Sequence, residues 1–255
     1  IALQLRSIGA ALSIVSGGDV AARAMFVAAP VLAAFAILFG ARRFELAGRS
    51  EGLLYAIGLE SAIKLVAMIA VAGLAIVVLA HSPVANVARG VAALGERFRA
   101  EHLTMDVGII CLIATTAIIA LPRQFYMGLV EARRPDDLVR ARHGLALYLG
   151  IMALLVVPIA LAGLTVLGPS ISPDVYVLKL PSAEGYSFIL AAALLGGVSA
   201  AASMAVVDST ALATMVSNDL VFPTLMRGRA PTRSGAIGAR MLIVRRLSIL
   251  AIMSA

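Results

Sequence analysis

The sequence predicts an all-α integral membrane protein, and three observations carry that expectation. Of its 255 residues, 61% are hydrophobic and only 14% charged, where ordinary globular domains run at about 45–50% and about 25%. The apolar residues gather into stretches of the length a helix needs to cross a bilayer, roughly 20 residues for a hydrocarbon core of about 30 Å. The basic residues, 19 arginines and two lysines, fall mainly in the gaps between those stretches, richly in every second gap. The mean hydropathy of +1.00 assigns the apolar surface to lipid rather than to a dry interior.

The elements follow in order. Residues 1–15 form a first apolar stretch carrying Arg6. It begins without a basic leader and small-residue cleavage site, so Ile1 is read as the cut edge of a longer protein. Ser16-Gly17-Gly18-Asp19 is a turn, and residues 20–40 make a second span with Pro30 inside it. Further spans are expected over 52–80, 107–130, 144–168 and 187–216, and 241–255 opens a seventh. Two gaps hold more than a turn. In 84–103, Val84, Val87, Val91, Leu94 and Phe98 recur at helical spacing with Arg89, Glu96, Arg97 and Glu101 between them, which predicts a short amphipathic helix on the outer face. In 169–186, Pro169, Pro173 and Pro181 predict an irregular loop. The whole of 1–255 is expected to be one transmembrane domain.

The charges orient these spans. Lysine plus arginine number 3, 5 and 6 in the gaps 41–51, 123–142 and 227–246, against 0, 3 and 1 in the gaps 16–19, 81–105 and 169–186. By the positive-inside rule the first set is cytoplasmic and the first span runs from inside to outside. The net charge of +7 does not describe a nucleic-acid surface, because the arginines form no single patch interleaved with exposed aromatics. Cys111 stands alone, and His81, His102 and His143 are scattered, so neither a disulfide framework nor a metal site is expected. No paired carboxylates or nucleophile triad falls at membrane depth, and no catalytic residue is assigned.

Polar groups inside a span are costly and therefore informative. Glu60 and Lys64 are four residues apart in the third span, able to neutralise each other on one helix face. They read either as a structural pair or as participants in ion movement. In the sixth span, Ser199, Ser203, Thr210, Thr214 and Ser217 fall within about 60° of one another at about 100° per residue. Such a stripe reads two ways. Hydroxyls and backbone carbonyls replace water around a desolvated cation; small residues, here Gly196, Gly197 and Ala200 to Ala202, let helices approach closely with Ser and Thr bonding across the contact. Asp208 lies about 180° from the stripe on the same wheel, so an ideal helix keeps it out of a site centred on Ser203. The fourth span ends in Leu121-Pro122-Arg123-Gln124-Phe125-Tyr126. A proline there reads two ways: as a break that frees an upstream carbonyl, and discontinuous helices are where transporters put solute sites, or as an ordinary proline near a cytoplasmic helix end. Thr115 and Thr116 sit within two turns of that break.

Three stretches together carry a resemblance. They are Ile1-Ala2-Leu3-Gln4-Leu5; Leu121-Pro122-Arg123-Gln124-Phe125 with Val130-Glu131 and Arg140-Ala141-Arg142; and Met215-Val216-Ser217-Asn218-Asp219-Leu220-Val221. They resemble the sodium:solute symporter family, in its divergent branch fused to bacterial sensor histidine kinases of the carbon and nitrogen regulatory type. The resemblance implies a leucine-transporter-like fold of inverted repeats, cut at both ends to core helices three to eight plus the start of nine. It implies sodium-type cation ligands at Ala200, Ser203 and Met204, with Met204 standing where a hydroxyl is expected. The solute-lining candidates are Gln4, Thr115, Thr116 and Gln124. The implied partners are a small solute of amino-acid type, the lipid bilayer and a cytoplasmic kinase module in the same parent chain, with sodium as the cation. A sodium-coupled symporter acting on its own is the alternative. Aliphatic Ala117 to Leu121, where the family has aromatics, and Met204 both suit a transporter fold reused as a sensor.

Overall fold

The computed structural model describes residues 2–16, 20–40, 51–99, 101, 104–120, 135–226 and 234–254. Among these the chain is 93% helical with no strand. The helices are α1 (Ala2–Ser16), α2 (Val20–Phe35) running into a π-turn (Ala36–Gly40), α3 (Glu51–His81), α4 (Val84–Arg97), α5 (Met105–Ala120), α6 (Pro135–Val166), α7 (Tyr176–Ala183), α8 (Ser187–Met215), a second π-turn (Val216–Val221), α9 (Phe222–Met226) and α10 (Ser234–Ser254). Three are long and apolar enough to cross a membrane: 27 residues over Tyr55–His81, 31 over Asp136–Val166 and 38 over Ser187–Thr224. The apolar parts of α1, α2 and α5 are shorter, Ala2–Val15, Phe26–Leu38 and Met105–Ala117.

Several boundaries differ from the sequence expectation. Helix α6 begins nine residues before 144, because Pro135 occupies its first position, where a missing N–H costs nothing, and Asp136 and Asp137 complement the positive end of the helix dipole. The stretch 169–186 is not irregular throughout. Pro173 opens a 3₁₀ turn (Pro173–Val175), and α7 follows, with Tyr176, Leu180 and Pro181 buried. The sixth span does not stop at 216 but continues through the π-turn into α9. The seventh starts at Ser234 rather than 241. Residues 17–19 of the expected turn at 16–19, residues 41–50 of the gap 41–51 expected to be cytoplasmic, and the proline break at 121–126 lie outside the described residues.

The chain divides into two compact units, residues 1–60, 120–133 and 198–255 in one and residues 61–119 and 134–197 in the other. The core of the second unit joins Val71, Ala72 and Ala75 of α3, Ile159, Ala162 and Leu164 of α6, Tyr176 and Leu180 of α7 and Ala193 of α8. Small residues set the spacing and let the helices approach closely. A Cβ on Gly163 would lie 2.2 Å from the Tyr176 ring, and one on Gly196 would lie 2.9 Å from the Ala67 Cβ. Two residues past the end of α6, Gly168 takes φ +79° and its N–H reaches back to the Gly163 carbonyl at 3.2 Å, a left-handed cap. The Tyr176 hydroxyl donates to the Gly168 carbonyl at 3.2 Å.

Helix α4 is present where the amphipathic pattern predicts it and packs along α6 through one edge of the expected apolar face: Leu94 lies against the core and Val87 is half-buried, while the rest of that face is exposed. Gly90 is buried, with room for no Cβ beside the Thr165 hydroxyl. Val84, Val91 and Phe98, expected on the apolar face, are 84%, 52% and 72% exposed. The glycine wins the contact because it lets the two backbones approach.

In the first unit α1 packs on α2. Its core brings together Ala33 of α2, Ala36 of the first π-turn, Ala205, Val206 and Ala213 of α8, and Ile249 and Met253 of α10.

Candidate functional site

The sequence-predicted residues that come together lie in the first unit. Gln4 of α1 directs its Nε2 to the Met204 Sδ of α8 at 4.0 Å, across 200 residues of chain. The Gln4 Oε1 is buried and has no hydrogen-bond partner among the described residues. A thioether is a weak acceptor, so the amide is oriented without being fully satisfied. Ala200 and Ser203, one turn and one residue before Met204, are half-buried.

The hydroxyl stripe runs down α8 from there. Ser199, Ser203, Thr210 and Thr214 are half-buried and Ser217 is fully buried. Thr210 donates to the Val206 carbonyl at 2.7 Å and Thr214 to the Thr210 carbonyl at 2.8 Å. These bonds back onto the same helix use each donor proton and leave the oxygen lone pairs facing away from the backbone. The arrangement leaves acceptors, which is what a cation requires. Ser209, off the stripe and fully buried, bonds in the same way to the Val206 carbonyl at 3.0 Å. Of the small residues expected to pack, Gly196 meets α3 closely while a Cβ on Gly197 would meet nothing within 4 Å.

The foot of the stripe holds a residue that sequence reasoning missed. Arg245, counted there among the basic residues of the 227–246 gap, lies inside α10 and is 7% exposed. Its Nε donates to the Ser217 hydroxyl oxygen at 3.3 Å and its Nη2 to the Asn218 Oδ1 at 3.3 Å. The Ser217 hydroxyl in turn donates to the Asn218 Oδ1 at 3.1 Å. The available signal was spacing. Met241, Arg245, Ile249 and Met253 recur every fourth residue, and an arginine on such an apolar ridge is an internal charge, not a hinge charge.

Other predicted residues do not join this cluster. Thr115 and Thr116 are exposed on α5 and bond back to the Cys111 carbonyl at 2.8 Å and the Leu112 carbonyl at 3.0 Å. Gln124 lies outside the described residues. Glu60 is buried, 4% exposed, and Lys64 half-buried on the same face of α3. Asp208 is half-buried on α8. No family model, curated protein or solved structure matches the chain.

Proposed function

We propose that the chain is a sodium:solute symporter-like transmembrane domain, with a leucine-transporter-like inverted-repeat fold, that serves as the solute-sensing input of a bacterial membrane sensor histidine kinase. The observation that carries the reading is the meeting of Gln4 with Met204. The resemblance nominates the first as solute-lining and the second as part of the cation position, and the two lie 4.0 Å apart although nothing in their sequence neighbourhood links them. The stripe adds oxygen acceptors below them at Thr210 and Thr214, hard ligands suited to a desolvated sodium ion. Three helices long and apolar enough to cross a membrane support the setting this reading requires, an inner membrane crossed several times with the arginine-rich gaps inside.

In this reading a small amino-acid-type solute and sodium bind between α1 and α8. Signalling follows only from different affinities for two conformations of the bundle, and the kinase module on the cytoplasmic side reads the conformation. Binding of candidate amino acids to the chain in lipid nanodiscs, with sodium and with choline, tests it. Sodium is expected to tighten solute binding at least tenfold, and Ser203→Ala to abolish that gain. Equal binding in the two salts, unchanged in Ser203→Ala, overturns the cation assignment. Sodium-driven accumulation in proteoliposomes would assign the chain to the autonomous symporter instead.

A further inference from the structure

Adjacent side chains on a regular helix diverge by about 100°, yet Ser217 and Asn218 converge on one guanidinium. They do so at a π-turn, Val216–Val221, a form that carries one residue more than an α-turn, is rare, and clusters at functional positions. Removing such a turn shifts everything beyond it by one residue, about 100° of rotation and about 1.5 Å of rise. Loss of the extra residue would thus be a discrete change of register, the kind of step a switch needs.

Arg245 is placed to choose between the two registers. It interrupts a buried ridge of α10 in which Met241 and Ile249 are fully buried and Met253 is 5% exposed. A guanidinium on such a ridge is costly unless its donors are used. Here two of them are used on the π-turn, both at 3.3 Å, longer than the usual hydrogen bond of about 2.9 Å. The fastening is charged and buried. Breaking it leaves the packing of Ile249 and Met253 on Ala205, Val206 and Ala213 in place, because those contacts involve other side chains.

We infer that Arg245 is a latch that holds residues 216–221 in the π form, and that its release lets the segment relax to α-helix and turns α9 by about 100° against α8. The latch stands on the geometry at Ser217, Asn218 and Arg245. Its coupling to solute rests on the proposed function, since the hydroxyl stripe of α8 ends at Ser217, the residue the latch grips.

Double electron–electron resonance on the chain in nanodiscs, in a Cys111→Ala background, tests it. Spin labels at the exposed positions Thr224 and Leu247 report the rotation, and labels at the exposed positions Leu3 and Phe35 report whether the unit remains folded. One dominant distance is expected with the native arginine. In Arg245→Met a second, discrete distance is expected to grow at least tenfold relative to the first, with the Leu3–Phe35 distance unchanged. Asn218→Ala, which keeps the arginine and removes one acceptor, is expected to move the ratio the same way, and this variant decides the matter if Arg245→Met fails to fold. A single unchanged distance in the folded variants, or broadening without a second peak, overturns the latch. If the variants shift the ratio but sodium and amino acids leave the native chain unmoved, the latch stands and the proposed function is what fails.

Discussion

The Gln4 amide nitrogen lies 4.0 Å from the Met204 sulfur, tying α1 to the middle of α8. The contact is between an amide and a soft, weakly accepting thioether, and it leaves the buried Gln4 Oε1 without a partner among the described residues. A hydroxyl at position 204 would offer a hard oxygen beside Ser203 and a stronger acceptor for the Gln4 amide.

Replacing the thioether by that hydroxyl is therefore expected to strengthen cation binding. In Met204→Ser the apparent sodium affinity, read from the sodium dependence of solute binding in nanodiscs, should rise about tenfold, or roughly 1.4 kcal/mol. An unchanged sodium dependence would separate position 204 from the cation.

The second unit makes a prediction independent of any ligand. The Tyr176 ring is 2% exposed and has no room to retreat from a Cβ that would come within 2.2 Å. Gly163→Ala should destabilise the protein by about 1–3 kcal/mol, as overpacking does, despite the better helix propensity of alanine. Tyr176→Phe, which removes only the bond to the Gly168 carbonyl, should cost about 0.5–1.5 kcal/mol. Reversible denaturation in mixed micelles measures both.

Two glycines of α4 should behave in opposite ways. A Cβ on Gly90 meets the Thr165 hydroxyl oxygen at 2.5 Å, whereas one on Gly95 meets nothing within 4 Å. Gly90→Val should undock α4 from α6 and raise amide exchange along α4 at least tenfold. Gly95→Ala should stabilise the helix by up to about 1 kcal/mol through propensity alone.

These contrasts show how far the sequence could be read. Apolar length finds the helices, and alternation of polar and apolar residues finds α4, because both depend on residues near one another in the chain. The face α4 turns to α6 is set by Gly90 against Thr165, a relation between distant residues that a helical wheel does not contain. Pro135, Asp136 and Asp137 extend α6 into what charge counting treats as a gap. The hydroxyl stripe was legible from spacing, but Arg245 was hidden by the same count, which takes every arginine for a hinge charge. The π-turn at Val216–Val221 leaves no hydrophobic period of its own, and only the convergence of Ser217, Asn218 and Arg245 makes its role visible.

The account depends most on the threading of the chain through the bilayer. The most direct test is sidedness of thiol labelling in sealed inverted and right-side-out vesicles, with single cysteines at Ser50 and Ser170 in a Cys111→Ala background. The account predicts that a membrane-impermeant maleimide labels Ser50→Cys from the cytoplasmic side only and Ser170→Cys from the outside only. Labelling of both positions from the same side would contradict it.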